Sequence, residues 1–393
     1  MPRLSCSLIS IKIWKGLLVG FLWILSWAFS WLAPATLLSS TFSVESPSPH
    51  QVFQRDRSDS GMMHVEGIFD DGLDGRPALE WSWVMEAQSS EWKVLEITPN
   101  RRRFSGSARL PAGGWYLLRF RHPQNPEHIV EIHPVGIGEI FVVAGQSNSA
   151  NHGEVSLAPL SDRVVAKAEQ HWQLARDPQP GASGRGGSFM PPLGDALAQA
   201  LGVPIGFVGC GIGATSVREW LPQGDTFPEP PTLLGRVRQL EDGRWQSRGE
   251  AFEVLMARMR SMGPKGFRAV LWHQGESDAN QKDPKRTLPG NLYAQYLKRV
   301  IRQSQSELQW AIPWFVAQAS YHVPGDEASP DIRRAQASLW KSGVALQGPD
   351  TDALKGPLRE SNGQGVHFSR EGLYAHAAAW AQCLLPWIQS TLN

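Results

Sequence analysis

From residue 136 onward, short apolar runs rich in β-branched residues alternate with longer runs of helical spacing, and few folds accommodate that pattern. The expected strands are Glu139–Ala144, Ile205–Val208, Phe267–Trp272, Trp314–Gln318 and Val344–Gln347. Between them the spacing predicts helices over Ser188–Leu201, Ala251–Met262, Asn291–Leu308 and Asp331–Lys341. A long closing helix follows, capped by Ser369. Buried strands separated by helices imply an α/β fold with a five-stranded, doubly wound parallel sheet, since parallel strands need crossover connections that cover both faces. In such sheets chemistry lies just beyond the carboxyl ends of the strands.

Upstream the grammar differs. Residues 46–135 carry short alternating segments, such as Met63–Ile68, Leu79–Met85 and Trp115–Arg121. Turn signals fall between them at Asp71-Gly72, Asp74-Gly75 and Gly113-Gly114, a pattern that suggests a small β-sandwich preceding the α/β domain of 136–393. Residues 1–45 read as an export signal or membrane anchor with a linker. Arg3, Lys12 and Lys15 precede an uncharged apolar run from Gly16 to Ala33. Either outcome places the rest of the chain outside the cytoplasm, secreted or periplasmic. A membrane is expected as a partner only through that segment.

Lys and Arg number 38 against 37 Asp and Glu, which gives no reason to expect nucleic acid or an anionic surface as partner. Of three cysteines, Cys6 lies in the leader. Cys210 and Cys383 form no C-x-x-C or Cys/His spacing, so no zinc site is expected.

The unusual residues gather at the expected strand ends. The first strand ends in Gly145-Gln146-Ser147-Asn148, where a Ser after a tight turn can expose its hydroxyl beside free backbone N–H groups. The second ends in small residues around Gly213, whose backbone N–H can approach a reacting carbonyl. The third ends in Trp272-His273-Gln274-Gly275-Glu276-Ser277, placing an amide and a carboxylate there. His367 stands at the mouth of the last helix, where it can take the Ser147 proton. Asn148, Arg218, Trp220 and Glu276 are candidates for binding substrate; for each a purely structural role is the competing reading.

Four blocks carry a resemblance: Phe141–Asn148 (FVVAGQSN), Gly213–Trp220 (GATSVREW), Trp272–Ser277 (WHQGES) and Val366–Ser369 (VHFS). They resemble the sialate O-acetylesterase and acetylxylan esterase branch of the SGNH hydrolases. The resemblance implies a three-layer, flavodoxin-like α/β fold, no metal or other cofactor, and removal of O-acetyl groups from carbohydrates. It carries the nucleophile onto Ser147, the oxyanion glycine onto Gly213, a side-chain oxyanion donor onto Gln274 and the base onto His367. An acetylated carbohydrate is the partner it implies. One departure stands out. Members of this branch usually carry an acid three residues before the histidine, and here that position is Gln364. A Gln carbonyl can fix the imidazole tautomer but cannot offset its charge. Either Gln364 assists a Ser-His dyad, or another carboxylate such as Glu276 or Glu360 takes the role, or the chain has become a carbohydrate-binding protein with weakened catalysis.

Overall fold

The computed structural model describes residues 42–69 and 78–392; the leader and the turn signals at 71–75 lie outside them. The chain is mixed α/β. Its central strand, Asn125–Gly145, is 21 residues long and has two different halves. Residues 139–145 pair in parallel with Ile205–Gly209 on one side and with Ala269–His273 on the other. The ladder continues in parallel through Trp314–Gln318 to Leu346–Asp350. On the opposite edge Val164–Lys167 adds in parallel to Ile205–Gly209, and Trp172–Leu174 closes that edge antiparallel.

Six strands of this ladder therefore run parallel, not five. The strand missed from sequence, Val164–Lys167, is only four residues long and ends in a lysine.

Alternation along the central strand explains the layers. Ile140, Val142 and Ala144 pack under the helices Glu250–Arg260, Gly290–Leu308 and Pro330–Lys341. Phe141 and Val143 face the other way, toward Met190–Leu201 and Arg370–Leu392. Side chains of successive strand residues point to opposite faces, so a strand buried on both sides must be apolar throughout. Ser369 caps the last helix as expected, its hydroxyl accepting the Gly372 N–H at 3.1 Å. Pro386 lies inside that helix, which runs on to Leu392.

The first half of the central strand is mostly in antiparallel structure, with Gln51–Gln54 pairing in parallel to residues 135–138. It pairs with Trp115–His122, which pairs in turn with Leu79–Met85. Facing these strands is a second antiparallel sheet of Phe42–Ser46, Ser60–Phe69, Arg103–Pro111 and Ile97–Asn100. Met63, Val65, Phe104, Leu110, Leu118, Phe120 and Val135 fill the space between. One of the two antiparallel sheets is thus continuous with the parallel one, because a single strand crosses position 136.

A buried charge cluster locks that crossing. Glu139 is fully buried and accepts from Arg55 Nε at 2.7 Å, Arg268 Nε at 2.7 Å and Gln54 Nε2 at 2.8 Å. Two guanidinium groups on one carboxylate satisfy its oxygens, which is the condition for burying a charge at tolerable cost.

Candidate active site

The nucleophile candidate sits on a turn that only glycine permits. Gly145 has φ +126°, and a Cβ there would lie 2.0 Å from the His273 carbonyl oxygen. The chain can therefore leave the strand abruptly, and Gln146 N–H returns to that carbonyl at 2.9 Å. Ser147 opens a one-turn 3-10 helix, Ser147–Ser149, whose first N–H groups have no intrahelical acceptor. The Gln146 amide oxygen accepts the Ser277 N–H at 3.0 Å and so ties two strand ends together. Ser147 lines a cavity of about 930 Å3 together with Gln146, Gly213, Glu276 and His367.

His367 reaches the same cavity on a turn of unusual shape. Ser361 and Asn362 are both left-handed, with φ of 53° and 56°. Their reversal brings Glu360 back onto the histidine, Glu360 N–H donating to the His367 carbonyl at 2.9 Å. Glu360 Oε1 then accepts the His367 N–H at 3.0 Å and stands 2.8 Å from His367 Nδ1. Gln364 is exposed and faces a different depression, lined by Glu154 and Glu371. The carboxylate on the histidine thus comes from seven residues upstream, and Gln364 does not orient it. Arg359 anchors the turn from below. It lies over the Tyr321 and Phe368 rings and donates to the carbonyls of Val366 at 2.7 Å and Thr351 at 2.8 Å.

Glu276 is buried beside this pair. Its Oε1 accepts Asn148 Nδ2 at 2.9 Å and lies 3.1 Å from His273 Nε2. Trp380 Nε1–H donates to His376 Nε2 at 3.0 Å, so that nitrogen is bare. It lies 3.1 Å from His273 Nδ1. Burial pushes the Glu276 carboxyl up, but His273 and the Asn148 amide outweigh it and hold it down at about 2. Among the described residues Glu276 Oε2 has no hydrogen-bond partner. Asn148 also donates to the Val366 carbonyl at 3.2 Å, so its amide clamps the His367 turn to Glu276.

Three expected site residues have structural roles instead. Gln274 is fully buried, and its amide hydrogens face Asp278 Oδ2 at 2.6 Å and the Thr215 carbonyl at 3.1 Å. Engaged there, they are not aimed into the cavity, which Gln274 does not line. Arg218 is equally buried. It ties three loops through the carbonyls of Glu229, Pro230 and Arg286, and pairs with Asp278 at 3.5 Å. Trp220 packs in the core against Trp272 and donates to Thr215 Oγ1. Neither Arg218 nor Trp220 borders the cavity. Gly213 does border it, but its N–H donates to Ser183 Oγ at 2.7 Å.

Other lining residues went unread in the sequence. His152 stacks on His367 with ring centroids 5.3 Å apart, and its Nε2 lies 3.1 Å from Ser183 Oγ. Burial and the neighbouring His367 both lower its pKa, with Glu360 acting weakly the other way. On the far wall His322 Nδ1 pairs with Asp326 at 2.7 Å, and its Nε2 meets the Glu276 carbonyl at 2.6 Å. Only His152 had a local signal, being five residues beyond Ser147 and just past that block. Among the described residues no three His, Cys, Asp or Glu side chains gather to hold a metal ion.

This geometry sits within a recognisable sequence frame. A family model described as carbohydrate esterase, sialic acid-specific acetylesterase, matches residues 137–384, more than half of the chain. The chain belongs to that family. The sialic acid-specific acetylesterases are carbohydrate esterases, and the chain is an ester hydrolase of that kind. A probable carbohydrate esterase of Arabidopsis thaliana is 26% identical over 279 residues, covering 64% of this chain and 92% of the relative. Among solved structures, a carbohydrate acetylesterase from Xanthomonas citri is 17% identical with a TM-score of 0.49, covering 86% of this chain and 72% of the other. A protein of Arabidopsis thaliana is 20% identical with a TM-score of 0.44, covering 63% and 98%. The matched residues of this acetylesterase begin at 137, so they hold the parallel sheet and the cavity wall but not the antiparallel strands before them.

Proposed function

We propose that the chain removes O-acetyl groups from carbohydrates through an acetyl-enzyme on Ser147. The observation that carries this reading is the Glu360–His367 pair at the cavity that Ser147 lines. His367 takes the Ser147 proton as the hydroxyl oxygen attacks the acetyl carbonyl. Glu360 fixes the imidazole with its proton on Nδ1, leaves Nε2 as the base, and offsets the imidazolium charge that follows. The sugar alcohol leaves with the proton from His367, and water then resolves the acetyl-enzyme by the reverse route. Ser147 N–H, at the open start of its helical turn, is one donor to the oxyanion. An acetylated carbohydrate is the substrate class, and export through the first 45 residues is the route that brings the enzyme to it.

The reading of a carbohydrate-binding protein with weakened catalysis rests on Gln364 together with the β-sandwich region. Glu360 on His367 Nδ1 removes the first of these grounds and favours the esterase reading. No helix among the described residues is long and apolar enough to cross a membrane.

The test is acetate release from 4-nitrophenyl acetate and acetylated xylan by the full chain, with Ser147→Ala alongside. Release that depends on Ser147 supports the assignment. A Ser147→Ala variant that turns over both substrates at the native rate removes it.

A further inference from the structure

With the Gln274 amide engaged elsewhere, the oxyanion hole lacks a side-chain donor, and the Gly213 N–H is occupied. The same geometry supplies a replacement. We infer that Ser183 Oγ–H is the second donor to the oxyanion, with His152 as its positioning residue. The inference rests on the Ser147 reading above.

Ser183 lines the cavity with Ser147, Gly213 and His152. Its backbone is pinned on both sides: its N–H donates to the Gly211 carbonyl at 2.9 Å, and its carbonyl accepts the Asn151 N–H at 2.8 Å. Asn151 further holds the loop with its side chain, accepting Gln179 N–H at 2.6 Å and donating to the carbonyls of Gln179 at 3.0 Å and Ala182 at 3.1 Å. Little freedom remains for Ser183 beyond its hydroxyl rotor.

Two donors converge on that hydroxyl. Gly213 N–H lies 2.7 Å away and His152 Nε2 lies 3.1 Å away. With the proton on Nε2, Ser183 Oγ accepts from both, and its two acceptor positions are filled. Its own hydrogen must then point elsewhere, and the open side is the cavity. Gly213 is a glycine for the same reason: a Cβ there would stand 2.8 Å from His152 Nε2. The glycine N–H acts through Ser183, polarising a hydroxyl that touches the oxyanion. As Ser147 Oγ bonds to the carbonyl carbon, the carbonyl electron pair moves onto oxygen, and the hydrogen bond from Ser183 strengthens without transfer of its proton.

The competing account makes Ser183 a mere occupant of the Gly213 N–H, displaced when substrate binds. The two accounts predict opposite signs for Ser183→Ala. As a donor, its loss lowers kcat about a hundred-fold, with KM changed by less than about two-fold. As an occupant, its loss leaves kcat unchanged or raises it, and that result overturns the inference. His152 supplies a second arm that does not depend on Ser183→Ala folding. His152→Leu removes the Nε2 donor and lowers kcat by about ten-fold or more; His152→Gln, whose amide N–H reaches the same place, recovers most of it. Equal loss in both variants removes His152 from the assignment. Ser147→Ala run on the same esters separates the levels. If it retains turnover, the active-site reading itself fails. If it is dead while Ser183→Ala and His152→Leu are fully active, only the Ser183 donor is lost.

Discussion

At the scale of single residues, the site turns on which polar hydrogens are free. Gln274, Arg218 and Trp220 have the right chemistry for a site and stand in the right blocks, yet their donors are engaged by buried partners. Glu360 lies outside the pattern expected of the histidine's acid and nevertheless holds it. The contrast with Gln364 is testable by steady-state kinetics. Glu360→Gln lowers kcat about a hundred-fold or more, because the imidazolium loses its counter-charge. Gln364→Ala changes kcat by less than about two-fold, as expected of an exposed side chain with no bond to His367. A Gln364→Ala variant as impaired as Glu360→Gln returns the role to position 364. Arg218→Met separates structure from recognition in another way. It leaves Asp278 buried without its partner and costs about 3–5 kcal/mol in denaturant unfolding. KM for an acetyl ester stays within about two-fold of native; a KM that rises sharply with stability intact would make Arg218 a substrate contact.

Elements matter through where they end. The strand Asn125–Gly145 carries antiparallel pairing at one end and the Ser147 turn at the other, so disturbing its middle reaches both. Glu139 is the vulnerable point. Glu139→Ala leaves Arg55 and Arg268 facing each other in a buried place, and chemical unfolding should show a loss of about 3–5 kcal/mol. An unfolding free energy unchanged within error would mean that the cluster is solvated. The turn from Glu360 to His367 is the second such element. Its two left-handed residues cost conformational energy, and Arg359 below it supplies three hydrogen bonds to backbone carbonyls that hold it closed. A lysine keeps the charge but loses the fork that reaches several carbonyls at once. Arg359→Lys should therefore reduce kcat by about ten-fold, through a displaced His367. An unaltered kcat with normal folding would show that the turn holds without it.

For the molecule as a whole, buried ionisation ties stability to pH. Glu276 ionises at about 2 in the folded chain against 4.5 for the free group. Between these values the unfolded chain binds more protons, so stability rises with pH there. Its contribution is fully present above about pH 4.5 and is lost as pH falls through about 2. Glu219 behaves oppositely. Burial raises it to about 8, so its contribution is present below 4.5 and declines as pH rises through about 8. Thermal unfolding across pH 2–9 checks both limbs. The acid-side decline should be shallower in Glu276→Gln than in the native chain, and an identical acid limb would remove Glu276 as its source.

Much of this was legible before any coordinates. Apolar runs alternating with helical spacing specify parallel strands under helices, since a strand buried on both faces leaves no room for polar side chains. The same pattern places Ser147 and Gly213 at strand ends and His367 at the mouth of the last helix, and all three line one cavity. Local pattern fails where a role depends on who occupies a hydrogen bond. Gln274 reads as a donor in sequence, but Asp278 and Thr215, remote in space until the sheet forms, claim its hydrogens. Glu360 lies seven residues from His367, and only two consecutive left-handed residues bring it back. Ser183 has no signal at all, because its importance comes from Gly213 and His152 converging on it from different loops. Sequence determined which elements form and which of their ends bear chemistry, because both follow from side-chain period and polarity. Tertiary structure alone decided which polar atoms stay free to act, because that depends on every partner the folded chain brings within reach.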